Sequence, residues 1–91
     1  MYKRVTKVLN DSGLHARPAT EFVELAKKFK SKITIKRMDE GGDAVNAKSI
    51  VFLLSQGIGK GIEVEISARG EDENEAVDAL VALVGSFDET Q

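Results

Sequence analysis

A reactive side chain stands out in the stretch GLHARPAT, residues 13–20, which holds the one histidine of the chain. Arg17 follows His15 after one residue, and Pro18, the one proline, comes directly next. Proline favours the first turn of a helix, because the amide that it lacks would have no intrahelical partner there. The sequence therefore predicts a helix that begins at about His15.

An imidazole at a helix start is suited to accept a phosphoryl group. Free amides and the positive end of the helix dipole attract anions there, and the guanidinium of Arg17 matches phosphate oxygens. These positive neighbours disfavour a protonated ring, so His15 stays nucleophilic, while an attached phosphoryl group would be stabilised. A lone histidine with a structural or merely exposed role is the alternative.

Other reaction chemistries find less support in the sequence. The absence of cysteine excludes a disulfide framework, a thiolate nucleophile and a thiolate zinc site. A metal site would depend on carboxylates, and those of GEDENE, residues 70–75, are typical of a helix start. A triad of His15 with Ser12 and Asp11 lacks an oxyanion-loop signature, and GIGKG, residues 57–61, lacks the spacing of a phosphate-binding loop. We therefore expect neither an enzyme nor a cofactor or metal.

Length and charge limit the possible partners. The 91 residues suffice for one domain, 1–91, and are too few for two. Thirteen basic and fifteen acidic residues give a net charge of −2, which argues against nucleic acid or an anionic membrane as the main partner. The start MYKRVTKVLN lacks the apolar run of a signal peptide, and no stretch approaches the ~20 apolar residues of a membrane span. We expect a cytoplasmic monomer.

Helical spacing of apolar residues predicts two amphipathic helices. The first begins near His15 and ends among lysines 27, 28 and 30, where cations favour the helix dipole. Its apolar face consists of Ala19, Phe22, Val23, Ala26 and Phe29. The second opens with Asp72 and Glu75 in the spacing of a capping box. Its apolar face consists of Ala76, Val77, Leu80, Leu83, Val84 and Phe87.

Four stretches predict strands. Residues 2–9 are rich in valine and threonine but alternate poorly, and KITIKRM places Ile33 and Ile35 on one face. After the turn-rich DEGGD, residues 44–46 are placed to pair back as a hairpin. The clearest strand, GIEVEISARG, alternates between a polar row and an apolar row of Ile62, Val64, Ile66 and Ala68. Each strand thus has one face for the core.

A third, short helix is predicted in KSIVFLLSQG, residues 48–57. Ser49 is a good N-cap residue and Gly57 a helix terminator, so two helical turns are favoured over a strand. The run has more apolar residues than one buried face can use, and exposed apolar residues beside a reactive group mark a partner site. The alternative is that all of them belong to the core.

The element order favours an α+β open-faced sandwich, in which helices cover one side of an antiparallel sheet. GLHARPAT, NAKSI and GEDENEAVDALVALV, in this order, closely resemble HPr, the histidine-containing phosphocarrier family of the phosphoenolpyruvate-dependent phosphotransferase system. The resemblance covers nearly the whole chain. It implies a four-stranded antiparallel sheet covered on one face by three helices.

The resemblance also implies residue roles. His15 would take a phosphoryl group on Nδ1 from phosphorylated enzyme I, with Arg17 steadying it, and pass it to sugar-permease acceptor domains. Ser49 maps onto a serine that an ATP-dependent HPr kinase phosphorylates in many relatives, which is compatible with its capping role. The residues implied in partner docking are Thr20, Ile50, Val51 and Leu54.

Different parts of the sequence resemble different branches of the family. The tail LVGSFDET resembles the nitrogen-related branch, whereas AKSI resembles the kinase-regulated branch, and the hairpin KRMDEGGDAVNA is longer than in sugar-transport members. Phe52 and Leu53 stand where many members carry other residues. A purely regulatory module, whose phosphorylation state controls binding to a transcription regulator, is therefore the alternative function.

Overall fold

Seven elements follow the predicted order in the computed structural model, which describes residues 1–90. They are β1 (Tyr2–Lys7), α1 (Ala16–Lys27), β2 (Lys32–Arg37), β3 (Val45–Asn46), α2 (Ile50–Ser55), β4 (Glu63–Arg69) and α3 (Glu73–Ser86). The strands form one antiparallel sheet in the order β1-β4-β2-β3. This confirms the open-faced α+β sandwich of four strands and three helices.

The central strand β4 carries the inner face of the sheet. Ile66 of β4 lies opposite Ile35 of β2 and opposite Arg4 of β1. Both isoleucines are fully buried, and the buried strand residues alternate with exposed or half-buried ones along β2 and β4. Period-two alternation in the sequence therefore separates a core face from a face turned to solvent.

The core lies between this inner face and the helices. Phe22 of α1 is the largest fully buried side chain, and Leu53 of α2 and Leu80 of α3 are also fully buried. Each helix thus contributes at least one anchoring side chain. Each such side chain gains about 1.5–3 kcal/mol by leaving water.

Several element ends differ from the prediction. β1 ends at Lys7 rather than at residue 9, and β4 begins at Glu63 rather than at Ile62. The Val8 amide still donates to the Ile62 carbonyl at 3.0 Å. The Val8 carbonyl, however, accepts from the Gly61 amide at 2.6 Å instead of from Ile62, which ends the regular pairing. The β3 strand covers only residues 45–46 of the predicted 44–46.

The end of α1 is also earlier than predicted. The helix ends at Lys27, and Lys28 is its C-cap. The Phe29 amide bonds the carbonyl of Ala26, three residues earlier, at 3.2 Å, which tightens the chain as it leaves the helix. Phe29 still packs against the core from this turn.

The capping box predicted from Asp72 and Glu75 is wrong. Asp72 is the N-cap residue of α3, but its side chain makes no capping bond within the described residues. Its carboxylate instead accepts hydrogen bonds from the Lys30 amide (2.8 Å) and from the amide and hydroxyl of Ser31 (2.9 and 2.5 Å). These bonds hold the pKa of Asp72 at about 2. Asp72 therefore ties the start of α3 to the connection between α1 and β2.

None of the helices found within residues 1–90 is long and apolar enough to cross a bilayer.

Candidate functional site

The loop between β1 and α1 places His15. The side-chain amide of Asn10 donates to the Gly13 carbonyl at 2.9 Å, and the Gly13 amide donates back to the Asn10 carbonyl at 3.1 Å. The next amide, of Leu14, donates to the Ile58 carbonyl at 2.9 Å, and the Leu14 side chain is fully buried. His15 therefore follows a segment that is fixed by backbone bonds and by the core.

Glycine is needed at position 13 for two reasons. Its φ is +65°, in the left-handed region that favours glycine. A Cβ there would also overlap the Ile58 carbonyl oxygen and the backbone of Gly59. The loop packs against the chain before β4 only because residue 13 lacks a side chain.

His15 itself is the N-cap residue of α1, with extended backbone angles of φ −130° and ψ 170°. Its side chain is half-buried and makes no hydrogen bond with another of residues 1–90. Of the first-turn residues, Pro18 has no amide, and the Ala19 amide already bonds the His15 carbonyl at 3.4 Å. The amides of Ala16 and Arg17 are therefore left for an anion.

Ala16 adopts a backbone conformation that the sequence did not indicate. Its φ is +52°, and it is the one non-glycine residue with positive φ within residues 1–90. A Cβ in this region costs about 1–2 kcal/mol. Alanine gives no sequence signal for such a conformation, and the strain lies directly beside the reactive histidine, where strained residues tend to cluster.

Arg17 is exposed on the first turn of α1. Its guanidinium forms no ion pair or hydrogen bond with the described part of the chain. The fork of donors is therefore open to an incoming group with oxygen acceptors. The structure thus brings together His15, Arg17 and two free amides at one helix end.

Ser49 caps α2, as the sequence predicted. Its Oγ accepts a hydrogen bond from the Phe52 amide at 3.3 Å, and its carbonyl accepts one from the Leu53 amide at 3.0 Å. The side chain is half-buried. The helix ends at Ser55 with Gln56 as its C-cap, and the predicted terminator Gly57 follows with a φ of +60°. The capping role is confirmed.

Most apolar residues of α2 face solvent. Leu53 is fully buried, whereas the exposed fractions of Ile50, Val51, Phe52 and Leu54 are 37%, 71%, 54% and 42%. The alternative that all of them belong to the core is therefore wrong. We call these four residues the α2 patch. The sequence-based prediction did not include Phe52 among the docking residues. The argument that this short helix has more apolar residues than one buried face can use applies equally to Phe52.

Thr20 lies close to this patch. Thr20 is exposed one turn after Ala16, and its hydroxyl donates a hydrogen bond to the Ala16 carbonyl at 3.3 Å. Thr20 and Ile50 line the same groove between α1 and α2, of about 190 Å³. The exposed side of α1 at Thr20 thus adjoins the α2 patch at Ile50.

The remaining candidates lie apart from His15. Asp11 pairs with Lys60 at 3.0 Å, which raises the pKa of that lysine, and Ser12 Oγ accepts from the Asn10 side chain at 3.4 Å. Neither contacts the imidazole among the bonds found in residues 1–90, so no triad forms there. Within the same residues no group of three or more histidines and carboxylates is arranged to hold a metal ion.

Comparison with known proteins places this site in a family. Residues 2–86 match the family described as "PTS HPr component phosphorylation site". The phosphocarrier protein HPr of Haemophilus influenzae is 41% identical over 88 residues, which are 97% of this chain and 100% of that protein.

Solved structures agree with the sequence match. The crystal structure of HPr-C-His from Thermoanaerobacter tengcongensis is similar with a TM-score of 0.88 and 44% identity, over 94% of this chain and 93% of that one. The structure titled an HPr dimer from the same organism has a TM-score of 0.72 and 44% identity, over 94% and 95% of the two chains. The chain therefore belongs to the HPr family, the phosphocarrier proteins of the phosphotransferase system, whose members are carriers and not turnover enzymes.

Proposed function

We propose that this chain accepts a phosphoryl group on Nδ1 of His15 from phosphorylated enzyme I and donates it to the acceptor domains of sugar permeases. The observation that carries the proposal is the imidazole at the N-terminus of α1, which forms no hydrogen bond with residues 1–90 and lies next to the amides of Ala16 and Arg17. A nucleophile and an oxyanion receptor thereby share one helix end.

The transfer is a displacement at phosphorus between the partner and His15. The lone pair of Nδ1 attacks phosphorus, and the bond between phosphorus and the donor breaks with its electron pair leaving on the donor. The proton on the other ring nitrogen, Nε2, remains in place until the group is passed on. Amides fixed at a helix start receive the phosphoryl oxygens without rearrangement, which stabilises the developing charge.

Arg17 supplies the mobile part of this receptor. Its guanidinium is exposed and free of ion pairs within residues 1–90, so binding the phosphoryl group breaks no existing contact. One charge-assisted hydrogen bond is worth about 1.5–3 kcal/mol, which corresponds to about ten- to a hundredfold in rate.

We further propose that the α2 patch, together with Thr20, docks enzyme I and the acceptor domains. Four exposed apolar side chains on a six-residue helix gain by burial against a partner. Their groove with Thr20 joins α2 to the helix that carries His15. Docking on this surface would therefore bring the partner close to the imidazole.

Ser49 is the proposed regulatory position, to be modified by an HPr kinase. A phosphate at the N-cap of α2 would meet the positive end of a helix and leave the fold intact. It would also add nearly two negative charges directly before Ile50, the first residue of the α2 patch. The alternative, a purely regulatory module that controls a transcription regulator, would use the same serine without transfer from His15. The monomeric state stays a prediction.

A phosphotransfer assay with phosphoenolpyruvate and enzyme I tests the proposal. Wild type and Ser49→Ala should each take up one acid-labile phosphoryl group, and His15→Ala should take up none. Full labelling of His15→Ala would overturn the assignment. A wild type that folds but accepts no group from enzyme I would favour the regulatory module.

Arg17→Ala distinguishes the guanidinium from the amides. We expect an unchanged melting temperature and transfer that is about ten- to a hundredfold slower. Glu21→Ala, on the next turn of the same exposed helix surface, is a matched control that should transfer at the wild-type rate. Equal rates for Arg17→Ala and wild type would mean that the helix amides suffice.

A further inference from the structure

The sheet surface turned away from the helices, here called the open face, has an uneven charge distribution. At one end its rows are balanced, because Lys7 lies opposite Glu63 and Lys36 lies opposite Glu65. At the other end of the open face, the cross-strand pairs contain no acidic residue. There Lys32 of β2 lies directly opposite Arg69 of β4.

The next row at this end adds a cation and hydroxyl groups. Lys3 of β1 pairs with Ser67, Ser67 pairs with Thr34, and Thr34 pairs with Asn46. Like charges directly opposite each other in a sheet are destabilising. The chain as a whole is acidic, with a net charge of −2, so this concentration of cations is not a consequence of composition.

These cations have few internal partners. The ion pairs formed within residues 1–90 do not include Lys3, Lys32 or Arg69. The pKa of the Glu73 carboxyl is lowered mainly by the Gly70 amide and the N-terminal ammonium, and Arg69 adds a weaker attraction. That carboxylate is already engaged by the N-terminal ammonium at 3.2 Å and by the Gly70 amide at 3.1 Å. Positive charge at this end therefore remains uncompensated.

The same residues form a shallow cleft. Its volume is about 290 Å³, and it is lined by Met1, Lys32, Thr34, Ser67, Ala68 and Arg69. A second cleft of about 330 Å³ shares Lys32 and Thr34 with it and adds Lys30 and Lys48. Two cationic side chains and two hydroxyls thus converge on one concave space whose lining is otherwise mainly apolar.

We propose that this cleft binds the phosphate monoester of a small organic molecule. The fork of Arg69 suits two phosphate oxygens, and Lys32 and the hydroxyls of Ser67 and Thr34 supply the remaining donors. A volume near the lower limit of small-molecule sites suits a ligand of a few carbon atoms, with the exposed Met1 side chain against its apolar part. The bound phosphate would neutralise the like-charge pair.

This site is distinct from that of His15. Lys32 follows the C-terminal end of α1, and His15 precedes its N-terminal end. The twelve residues of α1 separate the two ends by about 18 Å. The cleft also lies on the open face, whereas the helices cover the other face of the sheet. Binding here and phosphoryl transfer at His15 can therefore be measured separately.

A titration with glycerol 3-phosphate, followed by NMR of the backbone amides, tests the proposal. We expect saturable shifts of Thr34, Ser67 and Arg69, and none of them with glycerol. Lys32→Gln and Arg69→Gln should each raise the dissociation constant by about tenfold, because each loses a charge-assisted contact. Lys36→Gln is the matched control, since it removes the same charge from a balanced row; its dissociation constant should stay within about twofold of wild type.

Thermal melts add a readout that a purely structural role would not produce. Without ligand, Arg69→Gln should melt at or above the wild-type temperature, because the like-charge pair is relieved. Glycerol 3-phosphate should raise the melting temperature of wild type but not that of Arg69→Gln.

Four results would overturn the proposal. Shifts confined to Ala16 and Arg17 would place phosphate at the His15 site alone. Equal weakening by Lys36→Gln would indicate unspecific attraction to charge. Shifts that depend on protein concentration and not on ligand would indicate a second copy on the open face, and a non-saturating titration would indicate no site.

Discussion

At the scale of single residues, the position of His15 depends on Gly13. We expect Gly13→Ala to lower the free energy of unfolding by about 1–3 kcal/mol, because the variant combines a positive φ with backbone overlap at Ile58. Transfer to His15 should slow as well, since the loop before α1 must shift. Chemical denaturation and the transfer assay measure both effects.

Gly59→Ala is the control for this substitution. A Cβ at Gly59 would meet nothing within 4 Å, so we expect a change within about 0.5 kcal/mol. If both variants unfold at the same denaturant concentration, the close approach of Gly13 to Ile58 does not hold the loop.

Ser49 allows stability and regulation to be separated. Ser49→Ala loses the acceptor for the Phe52 amide, and we expect a loss of about 0.5–1 kcal/mol, since the bond of 3.3 Å is long. Ser49→Asp keeps an acceptor and adds a charge at the helix start, so its melting temperature should stay within about 4 °C of wild type.

The regulatory role predicts a different outcome for transfer. Ser49→Asp should accept phosphoryl groups from enzyme I more slowly, because its charge precedes the α2 patch and opposes desolvation there. Ser49→Ala should retain the wild-type rate. If Ser49→Asp is phosphorylated as fast as wild type, Ser49 has no regulatory role and acts only as the N-cap of α2.

The residue scale also shows which features a sequence reveals. His15, Arg17 and Ser49 were singled out by their chemical types and local spacing. The structure confirms the cap of Ser49, whereas the roles of His15 and Arg17 in phosphoryl transfer stay predictions. The positive φ of Ala16 was not found, because alanine does not favour that conformation and the surrounding loop imposes it. Strain imposed by packing leaves no local pattern in the chain.

At the scale of elements, the carboxylate of Asp72 joins α3 to the segment between α1 and β2. We expect Asp72→Ala to lower the melting temperature at pH 7 by about 4 °C or more, because the amides of Lys30 and Ser31 lose their acceptor. The α3 cap should matter less, since the Asp72 side chain makes no capping bond within the described residues.

The pH dependence follows from the lowered pKa of Asp72. Its pKa falls from an ordinary 3.8 to about 2, so its contribution is fully present above about pH 4 and is lost as the pH falls through 2. The difference between wild type and Asp72→Ala should therefore close between about pH 4 and pH 2. Melts over this range measure it, and a constant difference would show that charge plays no part.

Element types were predictable because each amphipathic segment is periodic over its length. The ends were less predictable, since Gly61 and the turn around Phe29 end regular bonding through contacts with other segments. The capping box failed for a related reason. The carboxylate of Asp72 could accept bonds either from the first amides of α3 or from another segment. It bonds the amides of Lys30 and Ser31, which are 42 and 41 residues away in the sequence.

At the scale of the whole molecule, the layers separate two surfaces. The helix layer carries His15, Arg17 and the α2 patch, where phosphoryl transfer and docking are proposed. The open face carries polar side chains whose charges are balanced at one end and not at the other. Sequence alternation identified the polar row of β4, but the pairing of Lys32 with Arg69 depends on the register between strands. That register was not readable from the chain.

The core explains why α2 has an exposed patch. One short helix of six residues can turn only one side to the sheet, and Leu53 occupies that side completely. The remaining apolar residues were predicted to be partly exposed from their number alone. The resemblance singled out Ile50, Val51 and Leu54, and the structure shows that Phe52 is exposed beside them.

The central claim is that α1 presents His15 and its own first amides to one phosphoryl group. The most direct measurement is NMR of the protein after phosphorylation by enzyme I, with the ring nitrogens of His15 and the backbone amides observed together. The account predicts phosphorus on Nδ1 and the largest amide shifts at Ala16 and Arg17, all reversed when acid removes the group. Phosphorus on another residue, or unchanged amides at Ala16 and Arg17, would contradict it.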